Sequence, residues 1–278
     1  MKVFKELPIS ILQSCKLMLI PARILNRKEK EVVPAIVSLT SIPSRLSTLH
    51  LVIRSLLNQD SSPKKILLWL NDDLKGKLPN KLSRLESDIF NIKYSPLTCS
   101  HRKLVHTLEC YPEDIIITCD DDLMYRKNWL SKIYREHQKQ TDVIIGNHTV
   151  HVNHDNENNP LPFKQWRQKY VTVTNPKALV PIGAWGILYP PRSLSKITVD
   201  SELFLKLAPK ADDLWFKAMA LLNGTLSVQS TDLPKEPIPI VGSQKVALKK
   251  ENLGKDKNTE QWNALNKAFN LSNLILGQ

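Results

Sequence analysis

The chain of 278 residues carries 39 Lys and Arg against 27 Asp and Glu, giving a formal charge of +12 and a pI near 9.5. With 42% hydrophobic and 24% charged residues it can bury a core, which excludes disorder and collagen-like structure and predicts one large domain or two small ones. None of its eight glycines is spaced as in a dinucleotide-binding turn or a P-loop, so any phosphate is held by other means.

The chain opens on a basic amphipathic arm, residues 1–33. Lys2, Lys5, Lys16, Arg23, Arg27, Lys28 and Lys30 face only Glu6 and Glu29 over the first thirty residues, with Phe4, Leu7, Ile11, Leu12 and Met18 between them. The arm reads equally as a segment resting on an anionic membrane and as a helix packed on the protein body. Pro8, Lys16 and Pro21 interrupt its apolar patches, so neither a transmembrane span nor a secretory signal is expected. The expected location is the cytoplasm, with peripheral contact at the inner face of the cytoplasmic membrane if the arm binds lipid. Cys15, Cys99, Cys110 and Cys119 include no close pair and read as reduced, buried thiols.

After Pro34 the pattern alternates between strand and helix. A strand is predicted over Ala35 to Leu39, a helix over Ser44 to Asn58 and a strand over Lys65 to Leu70. The runs Ile66 to Leu70 and Ile115 to Cys119 are continuously apolar, as strands of a parallel sheet buried on both faces are. A helix over Lys127 to Gln140, a strand over Asp142 to Ile145 and a helix over Asp213 to Leu222 follow. The fold class is therefore α/β, with a catalytic domain over 34–232 and a C-terminal extension over 233–278. That extension comprises a Pro-rich loop, a Lys-rich run and a helix over Thr259 to Phe269. His148, His151 and His154 recur every third residue, a spacing that does not hold side chains on one face of a strand; their Asn-rich surroundings predict a surface loop, not a zinc site.

The chemistry gathers in two acidic clusters. Asp120, Asp121 and Asp122 end the buried run that begins at Ile115. Adjacent carboxylates raise one another's pKa, so three together call for a cation, basic partners or open solvent. Ligands of open α/β sheets bind beyond the carboxyl ends of the strands, where these residues fall, and hard oxygen donors suit Mg²⁺ or Mn²⁺. The alternative is an acidic turn capping the next helix. A second pair, Asp212 and Asp213, opens an apolar helix, where capping accounts for one carboxylate more readily than for two.

Together, Ala35 to Arg45, Ile66 to Asp72, Lys103, Cys119 to Asp122, Ile182 to Pro191 and Ala211 to Trp215 resemble bacterial family-2-like glycosyltransferases of the GT-A fold, which build surface polysaccharides and capsules. The resemblance implies a GT-A-like single domain with a mixed, mostly parallel central sheet flanked by helices. It implies a nucleotide-sugar donor, a glycan or glycolipid acceptor and a Mn²⁺ or Mg²⁺ ion on Asp122 and Asp120. Thr40, Ser41, Arg45, Asn71, Asp72, Lys103, Asp120 and Asp121 would contact the donor, and Trp185 and Trp215 would either stack on acceptor sugars or pack in the core. Asp213, with Asp212 as competitor, would serve as the base of an inverting transfer.

Two other readings compete. A pI above 9 is the footprint of a nucleic-acid binder, yet the chain has no zinc-finger spacing, no RNP-type motif and few aromatics, so no nucleic-acid partner is expected. A nucleotidyltransferase or metal-dependent hydrolase on a similar sheet would share the carboxylates. Nucleotidyltransferases of that architecture usually follow the first strand with a Gly-rich loop, whereas Thr40 to Arg45 contains no glycine.

Overall fold

The computed structural model describes residues 2–25, 30–168, 175–243 and 256–277. In chain order its helices are α1 (Lys2–Leu19), the single turn α2 (Ala22–Leu25), α3 (Leu46–Leu57), the single turn α4 (Asn80–Ser83), α5 (Arg102–Cys110), α6 (Trp129–Lys139), α7 (Ser201–Leu207), α8 (Asp212–Leu222), α9 (Lys257–Phe269) and α10 (Leu271–Leu276). Its strands are β1 (Val32–Thr40), β2 (Ser62–Asn71), β3 (Phe90–Ser95), β4 (Ile115–Thr118), β5 (Leu123–Met124), β6 (Ile144–Gly146), β7 (Thr149–His151), β8 (Arg167–Gln168), β9 (Leu179–Pro181), β10 (Ile187–Tyr189), β11 (Ser227–Gln229) and β12 (Ile238–Pro239).

Seven strands form the central sheet in the order β11-β6-β10-β4-β1-β2-β3. Every neighbouring pair is parallel except those of β10, which runs against both β4 and β6. This is the mixed, mostly parallel α/β sheet expected of a GT-A-like fold. Ala35, Ile36, Leu39, Ile66, Leu67, Leu68, Ile116 and Ile117 are wholly buried, as strands covered by helices on both faces require. The apolar face of α3, with Leu49, Val52, Ile53 and Leu56, covers one side; α5 and α8 cover the other with Leu104, Leu214, Phe216 and Met219.

β1 begins three residues before its predicted start, because the register shifts between Val33 and Ile36 and so accommodates Pro34 inside the strand. The histidine-bearing stretch predicted as a surface loop is instead partly a strand: β7 pairs with β8 and β9 in a small antiparallel sheet. Two thiols also depart from expectation. Cys15 and Cys110 are exposed, on α1 and at the last residue of α5, while Cys119 is buried.

α1 lies against α3 and β12 through buried Leu17 and Ser10, the latter donating to the Pro239 carbonyl at 2.6 Å. Arg54 of α3 donates to the Leu17 carbonyl at 2.7 Å. At the other end, Trp262, Leu265, Leu271 and Ile275 of α9 and α10 join the same apolar cluster as α8. The Lys-rich run over 244–255 and the arm residues Arg27 and Lys28 lie outside the described residues.

Candidate functional site

β1, β4 and the segment before β10 end at one edge of the sheet, and their geometry explains why. In the parallel pair β1 and β4, Ser38 stands beside Thr118, so Ser41 and the Asp120 to Asp122 triplet both continue past the carboxyl edge. The antiparallel strand β10 places Ile187 beside Thr118, so the residues preceding it, Ile182 to Gly186, arrive at that same edge. α8 then points its first turn, Asp212 and Asp213, at this segment.

The triplet divides its partners between two cations. Arg45, in the short turn after β1, pairs with Asp121 through Nη1 and with Asp122 Oδ2 through Nη2 at 3.0 Å. Ser41 donates to Asp121 Oδ2 at 2.5 Å. Burial pushes the Asp121 carboxyl up even against the opposing pull of Arg45 and Ser41. Burial and then the charge of Asp120 push Asp122 up to about 7, with Arg45 offsetting only part of the shift.

Lys103, from the first turn of α5, is the second cation. Its ammonium lies 3.2 Å from Asp120 Oδ1 and 3.0 Å from Asp212 Oδ2. Burial alone would drive its proton off, but Asp212, Asp120 and Asp213 together outweigh that cost and hold Lys103 charged. Burial likewise opposes ionisation of Asp212, yet Lys103 wins and keeps that carboxyl below its ordinary range.

Asp213 titrates the opposite way. Burial first, and the neighbouring Asp212 second, push it up to about 8. Its Oδ2 accepts the Gly183 amide at 3.1 Å, while its Oδ1 is buried without a hydrogen-bond partner among the described residues. Gly183 is where the two acidic clusters meet. A Cβ there would stand 3.2 Å from Asp213 Oδ1, 3.2 Å from Lys103 Nζ and 3.5 Å from Asp120 Oδ1.

Sequence reasoning named the charged members of this cluster and missed the groups that hold them. Tyr125 accepts the Asp120 amide at 2.8 Å and donates to the Ala184 carbonyl at 3.1 Å, so one buried phenol ties the triplet to the Gly183 segment. Arg102 bonds both the Thr40 hydroxyl and the Ser41 carbonyl, fixing the end of β1. The only sequence signal for Arg102 was its place beside Lys103, and for Tyr125 its place three residues after the triplet.

The remaining candidates separate. Thr40 is occupied structurally, donating to the Trp69 carbonyl at 2.8 Å. Asn71 caps the turn Asp72–Leu74 by accepting from the Asp73 amide at 3.0 Å, and Asp72 pairs with Lys75 at 2.7 Å. Trp185 is half-buried beside His148, its ring centroid 5.5 Å from the imidazole, in the turn that starts at Gly183. Trp215 is the correction: its indole is 0% exposed and donates to the Thr198 carbonyl at 3.0 Å among Phe204 and Phe269, out of reach of any acceptor sugar. α8 is apolar on nearly every side, so its tryptophan packs in the core.

The donor chemistry at the triplet fits a hard divalent ion. Asp120 and Asp122 supply carboxylate oxygens at the strand end, and Asp122, raised first by burial and then by the charge of Asp120, is only partly offset by Arg45. Among the described residues no three His, Cys, Asp or Glu side chains converge on one point. An ion held there would take its other ligands from water and substrate phosphate, as Mg²⁺ commonly does.

A 4-diphosphocytidyl-2C-methyl-D-erythritol synthase from Anaerococcus prevotii DSM 20548 superposes with a TM-score of 0.45 at 12% identity, covering 81% of this chain and 96% of its own. No curated protein matches by sequence. The sequence model of glycosyl transferase family 2 matches residues 43–188, a span that runs from the turn carrying Arg45 through Lys103 and the aspartate triplet to Gly183 and β10. With that match over more than half of its length, the chain belongs to glycosyl transferase family 2.

Proposed function

We propose that the protein is a divalent-metal-dependent, inverting glycosyltransferase that moves a sugar from a nucleotide-sugar donor to a hydroxyl of a polysaccharide or glycolipid acceptor. One observation carries the reading: two acidic clusters about ninety residues apart in sequence share Lys103 and meet at Gly183, where Asp213 Oδ1 is buried without a hydrogen-bond partner among the described residues.

Each group has a task in such a transfer. Arg45 and Ser41 fix Asp121, and with Asp120 they line the donor's side of the site. A Mg²⁺ or Mn²⁺ ion on Asp120 and Asp122 would supply neutralisation of the charge that grows on the leaving diphosphate. Asp213 Oδ1 takes the proton of the attacking hydroxyl as the hydroxyl oxygen bonds to the anomeric carbon; the bond to the diphosphate breaks, and one displacement inverts the centre. The Gly183 amide orients the carboxylate through Oδ2. Lys103, held charged between Asp120 and Asp212, would offset phosphate charge that no glycine-rich loop cradles here. Trp185 remains the aromatic candidate for an acceptor face, and the polysaccharide or capsule setting is part of the proposal.

A panel of nucleotide sugars, assayed with and without Mn²⁺ for release of nucleoside diphosphate, tests the class. The expected outcome is metal-stimulated release that Asp122→Ala abolishes, with the product anomer inverted by NMR. Release of pyrophosphate from a nucleoside triphosphate and a sugar phosphate would instead make the protein a nucleotidyltransferase. Full activity of Asp122→Ala without metal would sink the metal assignment.

A further inference from the structure

No helix among the described residues is long and apolar enough to cross a membrane. Yet seven of the sixteen large apolar side chains left exposed among the described residues, Leu7, Ile9, Ile11, Leu12, Met18, Leu19 and Ile24, fall between positions 7 and 24. At about 100° per residue, the side of α1 that meets the body is narrow, carrying Ser10 and Leu17 with half-buried Gln13 and Ser14. Leu7, Ile9, Ile11, Leu12, Cys15, Met18 and Leu19, with Pro8 and Lys16 among them, spread over an arc of about 200° around the rest of the helix. This inverts the usual arrangement of a surface helix, whose apolar stripe faces the core.

Charge indicates what covers that face. Lys16 stands within the arc, between Leu12 and Ile9, and Arg23 follows on α2, both exposed, and the first thirty residues carry seven basic side chains against two acidic ones. An exposed apolar face that carries Lys and Arg, with no acidic side chain over residues 7–25, is the pattern of a helix lying in the interface of an anionic bilayer.

Position matters too. The Ser10 hydroxyl bonds the carbonyl of Pro239, which pairs with Leu123, the residue after Asp122. α1 therefore lies one strand pair away from the aspartate triplet. We infer that α1 docks the protein on an anionic membrane surface and presents the carboxyl edge of the sheet to acceptors embedded there. The docking stands apart from the sugar-transfer reading, since lipid binding is measured without any donor.

The test is co-sedimentation of the full chain with vesicles of phosphatidylglycerol and phosphatidylcholine in equal parts, and of phosphatidylcholine alone. Leu12 and Leu19 are 56% and 81% exposed, so Leu12→Glu with Leu19→Glu leaves the core intact. That pair is expected to cut partitioning about a hundredfold or more, and Lys16→Gln with Arg23→Gln roughly thirtyfold. Preference for the anionic vesicles, lost in the apolar variant, supports the inference. Three results overturn it: no sedimentation of the wild-type chain, equal sedimentation of the Leu12/Leu19 variant, or a lipid-free dimer that this variant converts to monomer. The last would make a second copy the occupant.

Discussion

Gly183→Ala tests whether the meeting point of the two acidic clusters is where chemistry happens. The added methyl would sit 3.2 Å from both Asp213 Oδ1 and Lys103 Nζ and 3.5 Å from Asp120 Oδ1, so the two nearer groups must give by a few tenths of an ångström. Misplacing reacting groups by about 1 Å costs on the order of a hundredfold in rate. A smaller shift, combined with a methyl in the space an acceptor hydroxyl needs, predicts a roughly ten- to hundredfold fall in kcat/KM. The fold should survive: mild overpacking costs about 1–3 kcal/mol, and about 0.4–1 kcal/mol returns through the stiffer unfolded chain. Gly186, three residues on, is the control. It sits at φ +101°, and a Cβ there would fall 2.6 Å from the buried Trp129 ring, so Gly186→Ala should cost more than about 3 kcal/mol and lose folded protein. Steady-state kinetics beside urea denaturation separates the two. A Gly183→Ala enzyme with unchanged kcat/KM would refute the placement of the reacting groups around this residue.

Two further outcomes follow from buried ionisable groups. With the Asp213 carboxyl at about 8, the proposed base is protonated at neutral pH, so kcat/KM should rise as pH passes through about 8; Asp213→Asn should flatten that limb and lower kcat by about 10²- to 10⁴-fold. Because a raised carboxyl costs stability as pH climbs from its ordinary 3.8 to about 8, the Asn variant should be the more stable protein above that window, and a less stable one would refute the assignment. Lys217 is 2% exposed, bonds only the Ser227 hydroxyl among the described residues, and is driven by burial from 10.5 down to about 7. The unfolded chain keeps that proton over a range where the folded protein does not, so stability should rise from pH 7 towards 10.5. Lys217→Met should remove this slope and gain on the order of 4 kcal/mol at pH 7, read by urea denaturation across that range.

The parts of the fold legible in the sequence are those where burial is complete. β1, β2 and β4 lie inside the sheet and read as apolar runs. β3 alternates as Phe90-Asn-Ile-Lys-Tyr-Ser95 at the sheet edge and went unread, as did α5, whose buried Arg102 and Lys103 look like surface charge until their partners are known. The two acidic clusters were legible because carboxylates at a strand end and at a helix start each stand out locally. Their shared lysine and the glycine between them are tertiary facts, set by which strand lies next to which. Trp215 illustrates the converse: an aromatic beside an acidic pair suggested stacking, while the surrounding Leu214, Phe216, Ala218 and Met219 already described a helix buried all round.

The reversal of β10 has a consequence for which parts of this scaffold can vary. In an all-parallel sheet the residues beyond the carboxyl edge leave their strand and are free to lengthen. Here the segment Ile182 to Gly186 enters the sheet, clamped between β9 before it and β10 after it, with the Ile182 amide bonded to the His148 carbonyl at 2.9 Å and Gly186 pressed on Trp129. An inserted residue would pull β10 out of register with both β4 and β6, turning every side chain of that strand to the opposite face. This stretch of the carboxyl edge therefore has a fixed length. Diversification towards new substrates is left to the loops that exit the parallel strands, such as Asn71 to Pro79 after β2, where an exposed turn can grow without disturbing a ladder.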